Sequence, residues 1–135
     1  MVHSGVRIRN IHKLIVGHGV HIGEDTFIQA GGGVALGNYV MLGPGVKIWS
    51  QNHEYDERGP VREDRYSYAR VTIGDNSWIG ANSFIMPGVT LPEGSIVSAG
   101  SVVGVKRYPA YSIIAGNPAR VLGQRQNVTV SVNID

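Results

Sequence analysis

Cysteine is absent from the 135 residues. That excludes a disulfide framework, thiolate metal sites and a cysteine nucleophile. Charge is scarce as well, at 16%, against a usual share of about a quarter. It is also balanced, with 12 Lys and Arg against 10 Asp and Glu. So even a balance leaves no electrostatic footprint for nucleic acid, and none is expected as a partner. No apolar run is long enough to cross a bilayer, so membrane insertion is not expected. Residues 1–13 are polar and basic throughout and lack the apolar stretch of a secretory signal, which points to the cytoplasm. Aromatics are few, at 7%. Glycine is the exception, at 19 residues, roughly twice its average share. Together with 42% hydrophobic residues, too many for disorder, it implies closely spaced turns.

The turns are periodic. Ile73, Ile79, Ile85, Leu91, Val97 and Val103 follow one another at intervals of six. Four residues after the first five of them come Ser77, Ser83, Val89, Ser95 and Ser101, all small or β-branched. The first half obeys the same rule. Val16, Ile22 and Ile28 are spaced by six, as are Leu36, Leu42 and Ile48, with partners Val20, Thr26, Gly32, Val40 and Val46. The longer step from Ile28 to Leu36 reads as a two-residue insertion at a corner. Period six suits neither a helix nor an ordinary two-faced strand. It suits a very short strand and a tight corner, with the aliphatic and the small residue both facing inward. Glycine and Asn38, Asn76 and Asn82 are the candidates for the positive φ that such corners need. Three sides close a coil of about eighteen residues, so the chain is predicted to be an all-β parallel β-helix, a solenoid of stacked hexapeptides.

The rule fails in three places, and failures of a local rule are where function is sought. Residues 51–66, QNHEYDERGPVREDRY, contain no hexad and must leave the wall as an excursion loop. A loop of that length inside a compact domain is usually functional or disordered. The register ends again at Lys106, Arg107 and Tyr108. The third break is the tail 123–135, where Val128, Val130, Val132 and Ile134 alternate with polar residues like one extra strand. The expected organisation is thus a β-helix domain over residues 1–122 followed by a tail.

Three stretches together resemble the hexapeptide-repeat acetyltransferases, a family of left-handed β-helix enzymes. NHEYDERGPVRE resembles their histidine loop. VTIGDNSWIGANSFIMPGV resembles the wall that holds acetyl-CoA. AGSVV followed by YSIIAGNPARVL resembles the end of the helix where the CoA nucleotide lies. The similarity covers roughly residues 14–122 and looks closest to small O-acetyltransferases of polysaccharide biosynthesis. It implies the left hand of the coil, acetyl-CoA as acyl donor, a sugar-like acceptor and a homotrimer with sites between subunits. A free-standing β-helix prism fits a closed three-fold ring. The family match also implies His53 as the base that takes the acceptor proton, a task suited to an imidazole. His18 and His21 fall in regular coils, and His3 and His12 precede them. Glu54, Asp56 or a backbone carbonyl could orient His53, with solvated loop charge the preferred reading of the two acids. By the same resemblance the backbone N–H of Ala81 serves the oxyanion, and that of Ala99 serves the pantetheine.

Trp78 ends its hexad and should lie outside, against the pantetheine or at a trimer contact. Lys106, Arg107 and Arg120 are candidates for the CoA phosphates. Asn52 and Gln29 are candidates for the acceptor, and Trp49 either lines the site or simply packs. With no cysteine and no G-x-S-x-G elbow, direct transfer without an acyl-enzyme is expected. A metal hydratase on the same scaffold would need three converging histidines, and none follows His53, so no metal is expected. The alternatives are an N-acetyltransferase of nucleotide amino sugars, a xenobiotic O-acetyltransferase and, more distantly, a non-catalytic scaffold.

Overall fold

The computed structural model describes residues 1–55 and 58–126. The chain winds through five coils of short strands. The first coil holds β1 (Arg7–Arg9), β2 (Leu14–Val16) and β3 (His21–Ile22). The second holds β4 (Phe27–Gln29), β5 (Val34–Leu36) and β6 (Met41–Leu42). The third holds β7 (Lys47–Trp49), a side hairpin of β8 (Gln51–His53) and β9 (Tyr66–Tyr68), then β10 (Val71–Ile73) and β11 (Trp78–Ile79). The fourth holds β12 (Phe84–Ile85), β13 (Thr90–Leu91) and β14 (Ile96–Val97). The last holds β15 (Val102–Val103), β16 (Ser112–Gly116) and β17 (Ala119–Gln124).

Stacking the coils makes three faces. The first is β1-β4-β7-β12-β15, the second β2-β5-β10-β13, and the third β3-β6-β11-β14-β16-β17. Every pairing within a face is parallel except that of β16 with β17, which folds back to close the end. The molecule is therefore a parallel β-solenoid, as the hexads predict.

Register explains the core. Ile22, Leu42, Ile79, Val97 and Ile114 stack up the third face, and Ile28, Ile48, Ile85 and Val103 up the first. All are buried. Val16 follows the pattern but is 45% exposed, because no coil covers it from below. The small positions are inside too, and the serines among them have a second function. Ser95 and Ser101 donate to the carbonyls of Pro92 and Ser98 in their own corners. Ser77 and Ser83 in turn accept the N–H groups of Ser95 and Ser101 from the coil above. Each buried hydroxyl thus satisfies a corner that a valine would leave bare.

On two of the three edges each corner turns on one residue in the left-handed region. Between the third and first faces these are Gly5, Asp25, Gly45, Asn82 and Gly100. Between the second and third they are Gly19, Tyr39, Asn76, Gly94 and Tyr111. Asn38 is therefore a correction: its neighbour Tyr39 takes the positive φ. The Asn38 amide oxygen instead accepts the N–H of His18, 2.9 Å away.

Coil spacing leaves some glycines no alternative. A Cβ on Gly74 would sit 2.6 Å from the Glu93 nitrogen and 2.7 Å from the Pro92 carbonyl carbon. Both are backbone and neither can step aside. Gly74→Ala is expected to cost about 1–3 kcal/mol, seen as a melting temperature several degrees lower. An unchanged melt would contradict the stacking.

Insertions collect on the edge between the first and second faces. Ile8 to Val16 and Ile28 to Leu36 each take eight residues where other steps take six. The excursion leaves from this same edge. Its stem, Gln51–His53 against Tyr66–Tyr68, is antiparallel, and the Ala69 N–H donates to the Ser50 carbonyl at its base. The last coil crosses the second face without a strand. Tyr108 plugs that gap, buried, with its hydroxyl donating to the Gly104 carbonyl. Burial pushes its phenol above the ordinary value of 10.0. The stability this contributes is whole below pH 10 and is lost as pH rises through the folded-state value. Tyr108→Phe should flatten that alkaline decline in a urea titration series. β17 runs to Gln124, beyond residue 122. Asp56 and the alternating tail from Val128 to Ile134 lie outside the described residues.

Candidate active site

His53 stands at the end of β8, exposed, with its ring 4.9 Å from that of Tyr66 across the hairpin. Its Nδ1 lies 3.1 Å from the carbonyl oxygen of Arg62. A carbonyl only accepts, so Nδ1 is the donor, and in the neutral ring Nε2 keeps its lone pair. The neutral ring is thus held with Nε2 as its acceptor, and a backbone carbonyl is the group that orients it. Glu54 is engaged elsewhere, 3.0 Å from Arg65. That pair and the Glu54 N–H to Arg65 carbonyl bond brace the stem. An open groove of about 550 Å³ runs beside them, lined by His53, Glu54, Tyr55, Arg65 and Ser67.

The edge between the third and first faces carries a second feature. Two residues after the inward aliphatic of each coil come Pro44, Ala81 and Ala99, one above another. The carbonyls of Pro44 and Ala81 accept the N–H groups of Asn82 and Gly100. Among the described residues, nothing accepts the N–H of Ala81 or of Ala99. On the next edge the comparable position is capped in the two lower coils, while Asp75 and Glu93, in the coils of Ala81 and Ala99, have no acceptor for their N–H among the described residues. There the His18 N–H is capped by Asn38, and the Asn38 N–H by Asp75 at 2.8 Å. The N–H groups of Ala81 and Ala99 thus form a row of donors without an acceptor among the described residues. Pro44 has no N–H, so the row ends at Ala81 on the N-terminal side.

Trp78 projects outward from the third face, 51% exposed. It borders a groove of about 250 Å³ with His3, His21, Met41 and Pro44. Beside it, His3 Nδ1 is 3.3 Å from Glu24 Oε1. Lys106, Arg107 and Arg120 are all exposed past the end of the regular coils. Lys106 Nζ is 3.3 Å from the Ala119 carbonyl, which brings it to the strand that carries Arg120.

The acceptor candidates separate. Gln29 is buried, its amide oxygen 2.6 Å from the Gly31 N–H and 3.4 Å from Asn10 Nδ2. It braces its corner and presents nothing outward. Asn52 is exposed, but strand alternation turns it to the opposite side of the hairpin from His53. Trp49 packs half-buried between Phe27 and Phe84, centroids 5.0 and 6.0 Å away, on the outside of the first face. Sequence reasoning missed Arg62 and Tyr66. A carbonyl leaves no trace in a side-chain pattern.

His53 and the free amides do not meet within one chain. They flank the first face from opposite edges of the prism.

Five coils, three faces and a hexad core define this chain as a hexapeptide-repeat solenoid with one side hairpin. Residues 70–104 match the hexapeptide repeat of succinyl-transferase. Galactoside O-acetyltransferase of Escherichia coli is 33% identical over 112 residues, covering 78% of this chain and 54% of that protein. A maltose O-acetyltransferase from Clostridium difficile superposes with a TM-score of 0.82 at 29% identity, over 94% of this chain and 68% of that one. A hexapeptide-repeat acetyltransferase from Vibrio cholerae, complexed with acetyl-CoA, does so with a TM-score of 0.81 at 25% identity, over 90% of this chain and 66% of that one. The chain belongs to the hexapeptide-repeat acetyltransferase family. It spans about half the length of the curated relatives it matches. Among the described residues no three His, Asp or Glu side chains are grouped to hold a metal ion, and no helix is long and apolar enough to cross a membrane.

Proposed function

We propose that this chain transfers an acetyl group from acetyl-CoA to a hydroxyl of a sugar or polysaccharide precursor. The observation that carries the reading is the row of uncapped amides at Ala81 and Ala99, stacked on the edge between the third and first faces. Such donors suit the carbonyls of a pantetheine arm and a thioester. Basic groups at Lys106, Arg107 and Arg120 put the phosphates at the C-terminal end, and the thioester accordingly reaches Ala81. Trp78 stands beside the arm. That two relatives are named for acetylating galactosides and maltose supports a sugar-like acceptor.

The step needs no acyl-enzyme. The acceptor O–H gives its proton to His53 Nε2 as its oxygen attacks the thioester carbonyl. The oxyanion forms at the Ala81 N–H. The C–S bond then breaks, and the imidazolium returns the proton to the departing thiolate. His53 and Ala81 sit on opposite edges of one prism, so the reaction centre is shared. A ring of three chains would set the hairpin of one against the amide row of the next.

The first test is an acceptor screen with acetyl-CoA and a free-thiol readout, with mass spectrometry to locate the acetyl group. Thiol release that depends on a sugar hydroxyl is expected, from a species that sediments as a trimer. An active monomer would contradict the shared centre. Transfer to amines alone would favour an N-acetyltransferase.

A further inference from the structure

The outside of the first face carries a charge arrangement that the donor side does not use. Arg7 and Arg9 alternate outward on either side of the inward Ile8. Both guanidinium groups converge on one ring. The Cζ atoms of Arg7 and Arg9 lie 4.8 and 5.3 Å from the Phe27 centroid. Lys47 is next to Phe27 in the following coil. Among the described residues, no carboxylate is in ion-pair range of any of the three.

Two cations held over one aromatic face repel each other. The ring quadrupole offsets only part of that. An anion lying between the guanidiniums would remove the repulsion, and the planar fork of arginine matches phosphate and carboxylate oxygens. Position supplies the second argument. Arg9 is in register with Gln29 and then Trp49, so it lies two strand spacings, about 10 Å, from Trp49 along the face. Four residues on from Trp49 is His53. The cationic patch therefore opens on the edge from which the hairpin departs. Phe27 and Trp49 form a half-buried aromatic floor between the two, continued by Phe84 beyond them.

We infer that Arg7 and Arg9 bind an anionic group, phosphate or carboxylate, on the saccharide acceptor while its sugar ring lies over the Phe27–Trp49 floor. This rests on the acetyltransferase reading for the word acceptor, but the binding can be measured without it. Calorimetry with glucose 1-phosphate, glucuronate and methyl glucoside, in the absence of acetyl-CoA, reads the site directly. The charged sugars are expected to bind at least about ten-fold more tightly than the neutral one, an advantage that shrinks with salt. Phosphate preferred over carboxylate would identify a phosphosugar, and the reverse a uronic acid.

Arg7→Gln with Arg9→Gln should abolish the preference while leaving the melt, acetyl-CoA binding and any turnover of the neutral sugar as they were. Phe27→Leu, which keeps the charges and removes the ring, should retain the charge preference but weaken all three sugars. Equal binding of charged and neutral sugars overturns the inference. So does a preference that survives the double substitution, or a double variant whose only change is in oligomeric state. Charge-selective binding without thiol release would uphold this site and refute the acetyltransferase reading.

Discussion

His53→Ala should lower kcat for acetyl transfer by about a hundred- to ten-thousand-fold, the usual range for a positioned base. Acetyl-CoA affinity and the melting curve should hold. His53 is exposed and makes one side-chain hydrogen bond, to the Arg62 carbonyl, so its removal costs the hairpin little. The fate of Nε2 makes the prediction specific. Because Nδ1 is pinned, only Nε2 can take a proton. Glu54 is committed to Arg65. Steady-state kinetics with thiol detection, alongside calorimetry for the donor, separates the chemical step from binding. Near-normal turnover would remove His53 from the mechanism.

Ala81→Pro should be nearly as severe for rate and mild for the fold. The substitution deletes the one N–H proposed to face the oxyanion, and losing one such donor costs about a hundred- to a thousand-fold in kcat. Proline is already at home in this corner. Pro44 lies directly below Ala81, and Pro87 follows its aliphatic Ile85 at the same two-residue spacing. Among the described residues nothing accepts the Ala81 N–H, so no hydrogen bond between them is lost. Thermal melting should stay within a degree or two, while kcat falls. A large fall in stability with proportionate loss of all binding would mean that the amide is structural.

The fold was legible because its core is periodic at an interval that no other architecture uses. Ile73 through Val103 predicted which side chains point inward, and the structure buries them all. Corners were legible only in part. Asn38 looked like the left-handed residue of its turn, but a tyrosine one place later takes that conformation, because the Asn38 side chain is worth more as a cap. The excursion was visible as missing period. Its antiparallel stem was not, since a three-residue ladder leaves too few positions to reveal alternation. Within the candidate site, His53 stood out because it falls where the winding breaks. The free amides of Ala81 and Ala99 could be named only by resemblance. Whether a backbone N–H is open depends on the side chains of the coil above, and sequence spacing alone does not carry that. Gln29 illustrates the converse. It was a candidate for the acceptor, yet its amide oxygen is spent on Gly31 within its own corner.

Mixing two inactive proteins tests the central claim most directly. His53→Ala and Ala81→Pro chains, dissociated together and reassembled in equal amounts, should regain about a quarter of the wild-type rate. In a three-fold ring each site takes its base from one chain and its amide from the next, so about one interface in four is intact. If the imidazole and the amide of one chain serve the same site, no mixed assembly contains a complete centre. The reassembled mixture would then stay as inactive as its components.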